Sequence, residues 1–533
     1  MKKSIVGISM ITITCLYGLL AAVVILITML AGGEVLYAII GSIVVLIIQF
    51  LISPWLTDVT MRLFYKANFN AEIPDYLKKF IELECKKHNV VYPKIGIIED
   101  GGPNAFTYGR TKKDARIVIT RGIFDLLNEN EVKSVVGHEL GHIVHMDMLV
   151  MTFAQVVPLV LYAIYEMFTR IDDSDSDNKA TSYLKLIGFL AYVLYVISEY
   201  VILWLSRQRE YYADRFSVTE TENPSALAEA LVKIGFGLST AVSQKNDVSK
   251  RNALGIFDKG ASKAMSISSY SEKGVDKNKI KNAMKWEMWN PWAKWYELNS
   301  THPLISKRLE AISNMSEEFK QKPYIKFDLK KEESYVDDFL IELVICYMPV
   351  ICFFATVICA IVIYVETNNP HELLLPCGFG LLLFSIFTIV KFNRSHKTNY
   401  KDKDVSDLLG EVKVSRVTSV ACNLKGKIIG RGNPGCIFNE DFVIKDKTGI
   451  IFLDYNQPLN IINKIFALFK SKEYFDKEVN VKGWYRRCPV PYVEIYEYTV
   501  DGKTKKIYTY AIAKTFNYIL FISSIILIAF SLI

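Results

Sequence analysis

The sequence predicts a multi-pass α-helical membrane protein of about seven spans, with one large, mainly α water-facing domain and a small C-terminal β domain. Three observations carry that fold class. Apolar residues make up 51% of the 533-residue chain and charged residues 22%, and the mean hydropathy is +0.20. This balance excludes a disordered or collagen-like chain and argues against a purely soluble one. The apolar residues gather in charge-poor runs of the roughly 20 residues needed to cross about 30 Å of hydrocarbon. The segments between those runs are alternately rich and poor in Lys and Arg, as the two sides of a membrane require.

The runs are 5–31, 35–55, 148–169, 186–206, 343–365, 373–392 and 515–533. The first follows Met1-Lys2-Lys3 and is too long for the apolar stretch of a signal peptide, so it reads as an uncleaved anchor. Gly32-Gly33-Glu34 and 366–372 carry no Lys or Arg, and 170–183 is dominated by four aspartates. Lys2-Lys3, 57–147, 207–336 and 391–514 are basic, which places them in the cytoplasm and the end of the chain outside the cell membrane. The net charge of +7 is then charge on one side of a lipid bilayer, and no nucleic-acid partner is expected. Nine cysteines stand singly with no CxxC pair, which favours free thiols over a disulfide framework.

Between the second and third runs lies His138-Glu139-Leu140-Gly141-His142. On a helix, positions i and i+4 share a face, so His138 and His142 can aim two imidazoles at one cation. Glu139 is rotated by about 100°, beside such a cation, where a general base for hydrolysis must stand. Asn128 and Asn130 are candidate caps for this helix. A third ligand is needed to leave one position open. Ten residues after His138 stands Met148, and His145 lies about 10 Å along the helix axis, too far to join. Glu210 and Asp214 follow the fourth run, again at i and i+4. One can bind the metal while the other orients an imidazole from behind, and a solvated, Arg-paired helix start fits the spacing equally well.

These residues resemble the membrane-bound zinc metallopeptidases that include HtpX-type proteases and CAAX prenyl endopeptidases. The family's S-R-x-x-E-x-x-A-D segment is matched by Ser206, Arg207, Glu210, Ala213 and Asp214, with two spans between the motifs as in the HtpX branch. Asn104-Ala105-Phe106 resembles the N-A-F segment before the family's edge strand, expected here at 115–120. Ser300-Thr301-His302-Pro303 with Arg308 resembles the segment closing the peptidase domain, with one proline where two are common. The resemblance covers residues 1 to about 315. It implies a gluzincin-like peptidase domain holding one Zn²⁺ per chain on His138, His142 and Glu210, with Glu139 as base and acid. It also implies supporting or substrate-contacting roles for Asn104, Asp214, His302 and Arg308, the turn at Pro303 being equally open to a structural reading.

The resulting domain order is two spans in 1–56, a peptidase domain in 57–336 interrupted by spans 148–169 and 186–206, two spans in 337–393, a β-rich domain in 394–514, and a last span in 515–533. The third span begins six positions after His142, and Glu210 closely follows the fourth. The expected activity is therefore a zinc-dependent endopeptidase just under the cytoplasmic face, cutting membrane proteins or emerging peptides in quality control. Two alternatives are a processing protease for one precursor or lipidated peptide, and a non-catalytic membrane protein with a structural metal site. Trp286, Trp289, Trp292 and Trp295 form a helical stripe, read as an aromatic belt or a core face. Alternating segments at 411–417, 423–429, 442–446, 449–455, 479–485 and 492–498 suggest an OB-like barrel or open β fold that meets a membrane surface or partner. Gly430, Gly432 and Gly435 spell GxGxxG, but no helix pattern follows, so no dinucleotide site is expected.

Overall fold

A computed structural model describes residues 35–169, 179–234, 277–325 and 331–532, apart from 332, 434, 435, 437 and 489. The first expected span, 5–31, lies outside the described residues; the second lies within helix α1 (Val35–Phe64). Five described helices are long and apolar enough to cross a membrane: Asp147–Thr169, Ser182–Thr221, Val336–Thr367, Pro370–Ser395 and Thr509–Ser531. They coincide with the third to seventh expected runs. The described residues divide into two compact units, the first holding those up to 234 and 296–325, the second those at 277–295 and from 331 onward.

In the first unit, α2 (Asp75–Lys87) precedes strands β1 (Lys94–Ile98), β2 (Ala105–Tyr108) and β3 (Arg116–Thr120). The order is β1-β3-β2, with β1 parallel and β2 antiparallel to β3. The expectation of an edge strand at 115–120 is therefore corrected. Ile117, Val118 and Ile119 are fully buried and take a neighbour on each side, while half-buried Ala105-Phe106-Thr107 takes the edge.

A short α3 (Arg121–Leu126) leads to α4 (Glu129–Val144), which carries the histidine pair. Asn128 caps α4 reciprocally with Glu131. Met146, at φ 56°, takes the left-handed conformation and separates α4 from α5 (Asp147–Thr169). Helices α5 and α6 (Lys179–Thr221) form an antiparallel hairpin cored by Ala154, Val157, Leu161, Ile164, Ala191 and Ile202. At 43 residues, α6 is about 65 Å long, more than twice the hydrocarbon thickness, so its C-terminal half projects beyond a membrane. Helix α7 (Pro224–Ile234) follows; after α8 (Lys277–Trp289) and α9 (Pro291–Leu298), α10 (Ile305–Glu318) packs against α6 and α7.

In the second unit, α11 (Val336–Thr367), α12 (Leu374–Ser395) and the last helix, introduced below, pack together as apolar rods. Strand β4 (Lys401–Asp402) and helix α13 (Val405–Leu409) open the β-rich segment. Strands β5 (Val420–Arg431), β6 (Phe442–Lys445) and β7 (Ile450–Asp454) are followed by α14 (Asn460–Phe469). Then come β8 (Glu478–Arg487), β9 (Pro491–Val500), β10 (Lys503–Lys506) and helix α15 (Thr509–Ser531). The pairings β5-β6-β7-β9-β8 return to β5, closing a five-stranded barrel, parallel only at β7/β9. Ile428, Phe442, Leu453, Val481, Ile495 and Tyr498 fill it.

The expected strand at 411–417 is absent. Its carbonyls are taken elsewhere: Trp286 Nε1 donates to Val414 O at 2.7 Å and Asn290 Nδ2 to Val412 O at 2.9 Å. Trp286, Trp289 and Trp292 are buried, so that stripe is a core face rather than a headgroup belt.

Candidate active site

The site forms because α4 and α6 come nearly backbone to backbone. A Cβ at Gly141 would stand 3.1 Å from Ala213 Cα and 3.2 Å from Phe216 Cβ, and one at Gly137 would stand 3.3 Å from Ser217 Oγ. Glycine at both positions lets α6 approach, and Glu210 then meets the two imidazoles one turn apart on α4. His138 Nε2 and His142 Nε2 are 3.1 Å apart. Each lies 3.5 Å from a Glu210 carboxylate oxygen. All three groups are buried or nearly so.

The other ring nitrogens are occupied. His138 Nδ1 lies 2.9 Å from Asp214 Oδ1, and His142 Nδ1 lies 2.6 Å from Asp147 Oδ2. A carboxylate on Nδ1 keeps the proton there, so both Nε2 atoms present lone pairs to one point. Two nitrogens at that separation can share one cation. The three spacings approximate the ~3.3 Å edge of a tetrahedron with bonds of about 2.0–2.1 Å. Among the described residues, Glu210 Oε2 is moreover buried without an aligned hydrogen-bond partner. The donor set and this orphaned oxygen fit a metal ion.

Behind the ligands stands a second tier of charge. Arg308 Nε and Nη2 donate to Asp214 Oδ2 and Oδ1 at 2.8 and 2.5 Å, and its Nη1 lies 3.4 Å from Glu210 Oε2. Burial works against positive charge at His138, but the contacts with Asp214 and Glu210 outweigh it, so the site favours positive charge on or beside this imidazole. Burial likewise opposes the Arg308 charge, and Asp214 overcomes it, raising the guanidinium above its ordinary range. The carboxylates of Asp147, Glu210 and Asp214 thus all face the two imidazoles.

Glu139 is buried beside the pair, and its Oε2 accepts from Thr107 Oγ1 on edge strand β2 at 2.7 Å. His302 Nδ1 comes within 2.8 Å of Glu210 Oε2 but out of hydrogen-bonding alignment. Asn104 enters β2 with its backbone held by Thr120, whose Oγ1 accepts from Asn104 N at 2.7 Å. His145 caps α4 and packs edge-on to Tyr212 and Phe216, apart from the three-ligand group. The structure thus gathers His138, Glu139, His142, Glu210, Asp214, His302 and Arg308 around one pocket.

Two participants escape sequence reasoning. Asp147 orients His142 and also receives Arg209 Nη1 on its backbone carbonyl at 3.1 Å. A buried acid at the mouth of an apolar run was the available signal. Thr107 reaches Glu139 across 32 residues, and no sequence pattern announces that contact.

The profile of peptidase family M48 matches residues 70–316, which contain every residue of the site. A protease HtpX homolog of Methanothermobacter thermautotrophicus is 38% identical over 246 residues, covering 45% of this chain and 90% of that one. Those of Picrophilus torridus and Aquifex aeolicus are 27% and 31% identical, covering 54% and 39% of this chain and 88% and 72% of theirs. The chain belongs to peptidase family M48 and is a membrane metallopeptidase of the HtpX type.

Proposed function

We propose that the chain is a zinc-dependent endopeptidase working at the cytoplasmic face of a cell membrane on membrane proteins, or on peptides leaving the bilayer, in quality control. The observation that carries this reading is the convergence of His138, His142 and Glu210 beside Glu139, at the end of the α5/α6 hairpin where Arg209 meets Asp147. Imidazole and carboxylate in a three-ligand set suit zinc, whose ion, when bound, would polarise the scissile carbonyl and acidify water.

The chain's own residues do the rest. Glu139, aimed by Thr107, takes the proton of the attacking water and returns it to the leaving amine. Asp214 and Asp147 hold the two imidazoles in the ligating tautomer, and Arg308 neutralises Asp214. His302 stands beside Glu210, in position to contact a bound substrate. Among the described residues no strand pairs with the outer edge of β2, so an extended substrate can add there and pass its carbonyl over Glu139.

Two experiments test the reading. Reconstituted protein, with Glu139→Gln as the blank, is offered several misassembled membrane proteins and one short C-terminal peptide. Cleavage of several membrane substrates is expected; cleavage of the peptide alone would replace quality control with dedicated processing. A reporter inserted near residue 260 is expected to report the cytoplasm, and a signal from the opposite side would reverse the placement of the site.

A further inference from the structure

Among the described residues, the outward apolar face of one helix on the β-barrel has no partner. In α14 the residues Ile461, Ile462, Ile465, Leu468 and Phe469 are exposed, Ile461 at 66% and Phe469 at 74%. The opposite face is buried on the barrel through Asn463, Phe466 and Ala467, with Phe466 stacked on Tyr455 at 4.2 Å. Apolar side chains at 461, 465 and 468–469 recur at helical spacing and form one outward stripe. The stripe is not an accident of a loose helix, because the inner face is fixed.

What covers it follows from where it is tied. Asn463 binds the Gln457 backbone, accepting from Gln457 N at 2.8 Å. The Gln457 side chain in turn donates to Lys506 O at 3.3 Å and accepts from Tyr508 N at 3.2 Å. Thr509 Oγ1, at the first residue of α15, donates to Asn456 O. The start of α14 is therefore stitched to the point where the last membrane-length helix begins. The barrel is fastened at the other helix as well: Arg486 Nη2 donates to Ser395 O, the last residue of α12, at 2.7 Å.

We propose that α14 lies in the headgroup–acyl boundary of the bilayer crossed by α12 and α15, docking the barrel flat against the lipid. Ten residues make about 15 Å of helix, half of what a span requires, so α14 lies in the plane of the membrane rather than across it. Exposed Lys464 and Lys470 on the helix and its end, and Lys503, Lys505 and Lys506 just before α15, match anionic headgroups. Exposed Tyr508 occupies the position of an interfacial aromatic. The proposal rests on the reading of α15 as a membrane span.

The test uses the full chain in nanodiscs of phosphatidylcholine and phosphatidylglycerol. Photoreactive p-benzoylphenylalanine replaces Ile465 or Phe469, with Lys425 on the barrel as the aqueous control and Ile519 within α15 as the lipid control; all four are exposed, so the fold is spared. After illumination, mass spectrometry is expected to find lipid adducts at 465, 469 and 519, at least about fivefold above 425. Lipid adducts at 519 with none at 465 and 469, or protein adducts there, overturn the proposal alone. Equal labelling at 425 also overturns it. No lipid adduct at 519 overturns the span reading and the proposal with it.

Discussion

Asp147 Oδ2 stands 2.6 Å from His142 Nδ1, so the first residue of a membrane-length helix orients one of the three candidate ligands. The chain reverses sharply to allow this. Met146 adopts φ 56°, a conformation few side chains favour, and the turn brings Asp147 back over the last turn of α4. The pocket and the start of the α5/α6 hairpin are thereby joined through Asp147, whose carbonyl also receives Arg209 of α6.

Asp147→Asn tests that coupling. The amide keeps the shape but no longer holds the Nδ1 proton as a carboxylate does. Metal affinity is expected to fall about 10- to 100-fold with the fold retained, read by competition with a chelating dye. Unchanged affinity would show that His142 is oriented by other means.

Arg308→Met should be costly. Asp214 is fully buried, and the guanidinium supplies both of its strong partners besides His138. Removing one partner of a buried ion pair costs about 3–5 kcal/mol, a fall in melting temperature on the order of 10 °C. Adding Asp214→Asn should recover part of the loss, because no buried charge is then stranded. A melting temperature within about 2 °C of wild type would contradict the ion-pair account.

A pH effect is expected away from the site. Glu84 on α2 faces Glu220 on α6, with His88 and Lys87 alongside; His88 Nε2 is 3.1 Å from Glu220 Oε1, and Lys87 pairs with Glu220. Burial, then the hydrogen bond and charge of Glu220, push Glu84 from an ordinary 4.5 to about 7. A raised carboxyl stabilises the fold below its unfolded value and loses that contribution as pH climbs through 7. Wild type should therefore weaken relative to Glu84→Gln between about pH 4.5 and 7, by at most about 1.4 kcal/mol per pH unit, and match it near pH 4. Parallel denaturation curves across that range would refute the shift.

Much of the site was legible because its chemistry is periodic. His138 and His142, like Glu210 and Asp214, declare a shared helical face by their spacing, and charge-poor runs declare α5 and α6. What stayed hidden is tertiary. Thr107 meets Glu139 only because β2 rather than β3 takes the sheet edge, and Ile117-Val118-Ile119 reads as readily for an edge as for a centre until burial is known. Residues 411–417 alternate like a strand, yet Trp286 on α8 and Asn290 just after it claim the carbonyls of Val414 and Val412. Arg308 was visible as a residue, but its inward turn onto Asp214 was not.

The central claim is that His138, His142 and Glu210 hold the catalytic metal while Glu139 moves the proton. Zinc content and peptide cleavage measured together on Glu139→Gln, Glu210→Ala and His145→Ala test it most directly. Glu139→Gln should keep about one ion per chain and lose cleavage by orders of magnitude, and Glu210→Ala should lose both. His145→Ala should keep its metal, since that ring packs on Tyr212 and Phe216 instead of joining the ligands. A Glu210→Ala protein that stays fully loaded while His145→Ala is emptied would contradict the account.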